Sequence, residues 1–205
     1  MKKVFFIFSL FGAVICLLSC EQKEDLTKAY RKQFTGKYQI ASIRESIRGL
    51  ALDLNGDGTK SVNLLDEYKS LGAIEDSRFS FLPNKDGGYD GSFALFCPIQ
   101  YLLEDFSAQP PYSIDTPITF NNTLLYTYTV SFHMTLSADG TATWQKALQD
   151  SADQSKALYI QLIHNGEILK AEGGIIDLVI HEVPVYDCTK QKLVLHSLEY
   201  HLVHE

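Results

Sequence analysis

Hydrophobic and polar positions alternate with a period of two along most of this chain, and that period predicts strands rather than helices. Tyr38, Ile40, Ser42 and Arg44 fall on one face of a first strand, with Gln39, Ala41 and Ile43 on the other, and the pattern runs on towards Ile47. Residues 78–82 and 89–96 alternate on either side of Asn84-Lys-Asp-Gly-Gly, a turn signal that predicts a hairpin. Further strands are predicted at 99–106, 117–120, 124–136, 141–144, 158–163, 167–170, 175–185 and 192–203, with Ala138-Asp-Gly140 and His164-Asn-Gly166 as tight turns. Helical spacing is confined to residues 62–71, where Leu64, Leu65, Tyr68 and Leu71 share a face, and to a short stretch from Leu26. About eight to ten short strands with regular turn signals predict an all-β fold, an antiparallel barrel or sandwich with one or two short helices.

The first nineteen residues follow a different rule. Lys2 and Lys3 precede an apolar run from Val4 to Leu18, which closes on Leu17-Leu18-Ser19-Cys20. The run is shorter than the roughly twenty residues of a bilayer span, and such a segment is a targeting signal rather than part of the fold. With a cysteine at the cleavage point it resembles a bacterial lipoprotein precursor, which implies lipid attachment at Cys20. The expected organisation is a signal peptide over 1–19, a lipidated tether over 20–34 and a barrel domain over 35–205. Loss of Lys2 and Lys3 takes the formal charge from −7 to −9. Nucleic acid is excluded as a partner by that acidity, and membrane contact is expected through acyl chains alone, because anionic head groups repel the domain.

One segment carries a chemical signature. Asp53-Leu-Asn55-Gly-Asp57-Gly58 sets three side-chain oxygens around one centre, with glycine at the sixth place for the sharp turn and the Thr59 carbonyl as a further ligand. The twelfth place, a bidentate Glu in EF-hands, holds Leu64, so Asn63 and Asp66 are the candidates to complete a structural calcium site. The same residues are also ordinary turn formers that need no ion. The histidines lack zinc spacing; on an extended strand His196 and His204 share a face and His201 points away, and they are expected to be solvated or to pair with a neighbouring carboxylate such as Glu199. There is no Gly-x-Ser-x-Gly elbow or phosphate loop, and Glu104 and Asp105 face opposite sides of a strand, so no enzymatic activity is expected. Cys97 and Cys188 remain after processing, and in an oxidising compartment they either form a disulfide or stand as separate buried thiols.

Two segments carry a family resemblance. Phe34-Thr-Gly36-Lys-Tyr38-Gln-Ile-Ala-Ser-Ile and the acidic insert from Ala51 to Leu65 resemble the lipocalin-like, calycin-type lipoproteins of Bacteroidetes, with Tyr38 where that family has Trp. The resemblance implies a lipocalin-like β-barrel anchored at the outer membrane, on its periplasmic face or at the cell surface. It favours a small apolar ligand inside the barrel, for which Phe79, Phe81, Phe93, Tyr126, Tyr128 and Phe132 are the inward candidates. The alternative is a packed barrel acting as an accessory or interaction subunit of a surface complex through its loops at 49–65 and 106–116.

Overall fold

The computed structural model describes residues 26–72, 74–102, 123–145 and 166–205. The expected signal peptide, Cys20 and the strands expected at 117–120 and 158–163 lie outside these residues. Eight antiparallel strands form one sheet: β1 (Gly36–Glu45), β2 (Ser77–Pro83), β3 (Tyr89–Leu102), β4 (Thr123–Leu136), β5 (Ala142–Trp144), β6 (Gly166–Glu172), β7 (Ile175–Asp187) and β8 (Lys192–His204). Their spatial order is β5-β4-β3-β2-β1-β8-β7-β6. Sequence-adjacent strands therefore pair except β5 with β6, and β1 pairs with β8 to curl the meander into a nearly closed, lipocalin-like barrel. Among the described residues the open seam is between β5 and β6. There Gly166 is pressed against β4: a Cβ on it would lie 2.8 Å from Phe132 Cζ, so only glycine fits.

Two helices cover the ends. The first, α1, spans residues 26–34. Thr27, Tyr30 and Phe34 share its inner face at helical spacing, and Phe34 is 1% exposed. Tyr30 packs edge-on to Phe81, the Arg31 guanidinium sits 3.8 Å over the Tyr89 ring, and Tyr38 Oη donates to the Phe34 carbonyl at 3.1 Å. Packing against the barrel thus includes residues 26–34 of the expected tether, which buries one apolar face. The second helix, α2 (Leu64–Leu71), lies at the end where β1 leaves the barrel. β1 pairs with β2 only from Gly36 to Tyr38, so the rest of that edge is free. Asn63, the N-cap of α2, fills the role of a strand there: its Oδ1 accepts from Ile43 N at 3.1 Å and from Leu65 N at 3.3 Å.

Three bulges reset which side chains face inward. In β1, Ile40 pairs with Leu202 and Ser42 with His201, so Ala41 is the extra residue. A bulge adds one residue and reverses the alternation beyond it. Tyr38 and Ile40 are buried before it, Ile43 and Glu45 after it, and Ser42 and Arg44 are turned out of the barrel. The single face expected for Tyr38, Ile40, Ser42 and Arg44 is thereby split. The second bulge places Leu169 between Ile168 and Lys170 in β6. The third falls between Ile180 and Val183 in β7, where Glu182 takes a left-handed φ of 59°. A further difference concerns β3: it continues unbroken to Leu102, joining the two strands expected at 89–96 and 99–106.

Candidate functional site

Four of the six aromatic residues expected to line a ligand cavity, Phe79, Phe81, Phe93 and Phe132, pack against one another. Phe93 and Phe132 are both 0% exposed. Their ring centroids are 6.2 Å apart, Phe79 stacks on Phe93 at 6.0 Å, and Phe81 lies 4.8 Å from Phe79. A ring with no accessible surface touches no void large enough for water, so Phe93 and Phe132 are close-packed core, with Phe79 nearly so and Phe81 partly buried beside them. Tyr126 and Tyr128 stand opposite Ile99 and Cys97 in the β3–β4 ladder, and their side chains lie outside the described residues.

Towards the α2 end the interior becomes more polar. Cys97 Sγ and Tyr200 Oη share a hydrogen bond of 2.8 Å, while the buried Tyr68 hydroxyl has no hydrogen-bond partner among the described residues. Burial pushes the Cys97 thiol up to about 12 and raises the Tyr68 and Tyr200 hydroxyls as well. Glu45 Oε1 lies 3.5 Å from His196 Nδ1, and Glu45 Oε2 accepts from the Ile47 N–H. His196 Nε2 is buried and unpartnered.

Of the two alternatives for the cysteines, the structure shows the second. Cys97 and Cys188 are separate thiols, the first inside the barrel on β3 and the second in the turn between β7 and β8. Burial, then the charges of Asp53 and Asp187, raise the Cys188 thiol to about 11, so neither cysteine is an activated nucleophile.

The acidic loop is held by its own backbone. Asp53 accepts from Gly56 N at 2.7 Å and from Gly58 N at 3.0 Å, Asn55 Oδ1 from Asp57 N at 3.0 Å, and Asp57 Oδ1 from Thr59 N at 2.6 Å. Hydrogen bonds from Thr59 are the main reason that the Asp57 carboxyl titrates low. Asn63 is committed to capping α2, and Asp66 stands in the helix's first turn. Among the described residues no three His, Cys, Asp or Glu side chains gather as a metal group. Beneath the loop lies Glu67, a residue that sequence reasoning missed. It is 6% exposed, and its Oε2 accepts from Leu54 N at 3.3 Å. Burial raises its carboxyl, the N–H groups of Leu54 and Asn55 oppose that rise, and Asp57 and Asp53 add to it.

Among the described residues, one concave feature lies outside the barrel. A groove of about 490 Å³ runs over the outer face of β1, β8, β7 and β6, lined by Ser42, Arg44, Lys170, Asp177, Glu199 and His201. One cross-strand row forms its floor: Ser42 is opposite His201, His201 opposite Asp177, and Asp177 opposite Lys170. Both outer strands bulge immediately before their member of this row, at Ala41 and at Leu169. Bulges bend and twist a strand, which dishes an otherwise convex surface. His201 Nδ1 is 2.5 Å from Asp177 Oδ1. His181 likewise lies 3.8 Å from Glu167, so three histidines, with His196, stand beside carboxylates. His201 points away from the face of His196, as strand alternation requires. No family model, curated protein or solved structure matches the chain.

Proposed function

We propose that this chain is a lipoprotein anchored through Cys20 to the bacterial outer membrane, and that its packed barrel binds through its outer surface as a binding or accessory protein. The observation that carries this reading is the contrast between a filled interior among the described residues and, outside, a groove where charged side chains stand beside apolar surface such as Leu169. Ligand sites are concave and usually about 300–1,000 Å³, a range that the groove meets. Arg44, Lys170 and His201 alternate there with Asp177 and Glu199, which suits a small polar ligand or a polar patch on a partner in a surface complex. The anchor is tested by Cys20→Ala, which is expected to release the protein from the membrane fraction; retention there removes the anchor.

A second reading, a small ligand inside the barrel, draws on the unpartnered Tyr68 hydroxyl and His196 Nε2, since buried polar atoms are normally satisfied. A co-purified organic adduct in a native mass spectrum, unaffected by substitutions in the groove, would favour it. Calcium keeps a structural role in both readings: it would sit on the carboxylates of Asp53 and Asp57 and stiffen the insert without taking part in binding. Millimolar calcium is then expected to raise the melting temperature and a chelator to lower it; no shift leaves the loop to its Asx turns.

A further inference from the structure

We propose that Ser42, His201 and Asp177 form a nucleophile–base–orienter row able to hydrolyse a small carboxylic ester held in the groove. The inference rests on the groove being a ligand site and adds chemistry to it. Three observations carry it. The residues stand in the required order on three adjacent strands, with the imidazole in the middle. The carboxylate takes the nitrogen that orients such a base: Asp177 Oδ1 is 2.5 Å from Nδ1, which leaves Nε2 for the hydroxyl. And the bulge at Ala41 turns Ser42 out of the barrel onto this face, a re-aiming for which bulges beside active sites are known.

Directly opposite residues on paired strands have Cβ atoms about 4.5–5.5 Å apart, so Ser42 and the imidazole are neighbours on this face, and the reaction requires the hydroxyl to turn towards Nε2 when substrate binds. Catalytic hydrogen bonds of this kind often close only when substrate is present. In the reaction, Ser42 Oγ attacks the ester carbonyl carbon while its proton passes to His201 Nε2, and Asp177 stabilises the imidazolium through Nδ1–H. Arg44, next along the same face of β1, is placed to stabilise the negative charge on the carbonyl oxygen. Collapse of the tetrahedral adduct breaks the bond to the alkoxy oxygen, which leaves as the alcohol with the proton from Nε2. Water then repeats the sequence on the acyl-Ser42, giving the carboxylic acid and free serine. The His201 and Asp177 side chains are 41% and 35% exposed, so solvent weakens the pair and turnover is expected to be slow.

Covalent trapping is therefore the first test. The purified chain is treated with an alkyl fluorophosphonate, whose fluoride the serine oxygen displaces, and the adduct is located by peptide mapping. A single adduct on Ser42 is expected, absent in Ser42→Ala and formed about a hundredfold more slowly in His201→Ala. Melting curves matching the parent show that both variants are folded. Hydrolysis of p-nitrophenyl acetate is expected to follow the same variants and to fall as the pH is lowered, because the base works unprotonated. No adduct, an adduct elsewhere, or unchanged labelling in folded His201→Ala overturns the row. The groove is checked separately by NMR screening with small polar fragments. Shifts at Arg44 and His201 without labelling overturn the chemistry alone; the absence of both overturns the groove as well.

Discussion

The two faces of the same four strands, β1, β8, β7 and β6, have opposite characters. Inward, Tyr38, Ile43, Ile176, Leu178, Leu198, Tyr200 and Leu202 are at most 1% exposed and belong to one core with Phe79, Phe93 and Phe132. Outward, the same strands carry Ser42, Arg44, Lys170, Asp177, Glu199 and His201 around a groove. An eight-stranded barrel is just wide enough either to fill with side chains or to hold one small ligand. Among the described residues, aromatic side chains take the first course. Large rings inside and bulges in the wall are the features that would move a binding surface from the lumen to the exterior, as proposed above.

The largest expected effect sharpens that difference. Phe93→Ala removes a fully buried ring and is expected to cost about 3–5 kcal/mol in chemical denaturation. His201→Ala, on the half-open outer face, is expected to cost less than about 1 kcal/mol. Equal losses would break the comparison. Next comes Asn63→Ala, which deprives two N–H groups of their acceptor and is expected to lower stability by about 1–2 kcal/mol. Loss of amide protection at Ile43 by hydrogen exchange would locate that effect. A smaller change of opposite sign is expected for Tyr68→Phe, a gain of about 1 kcal/mol, because the deleted hydroxyl is buried without a partner. A loss instead would mean that the hydroxyl is satisfied, as it would be by an internal ligand.

The smallest effect depends on pH. Burial holds the Glu67 carboxyl above its ordinary value of 4.5, so its protonated form is the one that folding favours. The stability it contributes is fully present below that ordinary value and is lost as the pH rises through the folded value. Glu67→Gln stays neutral and its carbonyl can still accept from Leu54 N. Measured in chelator, the variant is expected to melt above the parent at neutral pH and level with it in acid. A pH-independent difference would assign the effect to the hydrogen bond and not to the charge.

Local signals made most of the fold legible. The hairpin at residues 84–88 was written in Asn and Gly: Asn84 Oδ1 accepts from Asp86 N and Gly88 N and closes the turn. Leu64, Leu65 and Tyr68 announced α2, and β1 and β8 were both visible in their alternation. The bulges were not. Nothing in Ile40-Ala41-Ser42 or Ile168-Leu169-Lys170 marks the extra residue, because its position is set by register with the partner strand, and register is a tertiary property. The groove depends on those two residues, so it was hidden even though His201 was known to point away from its neighbours. Asn63 shows the converse. It is a good ligand and a good N-cap, and only the free edge of β1 decides which use it finds.

The claim that this barrel works from the outside is tested most directly by a native mass spectrum of the chain purified gently without chelator, recorded beside Arg44→Ala and His201→Ala. The expected result is a polypeptide carrying no organic adduct, or one that both substitutions weaken. An organic adduct held equally by all three proteins would place a ligand within the barrel and contradict the account.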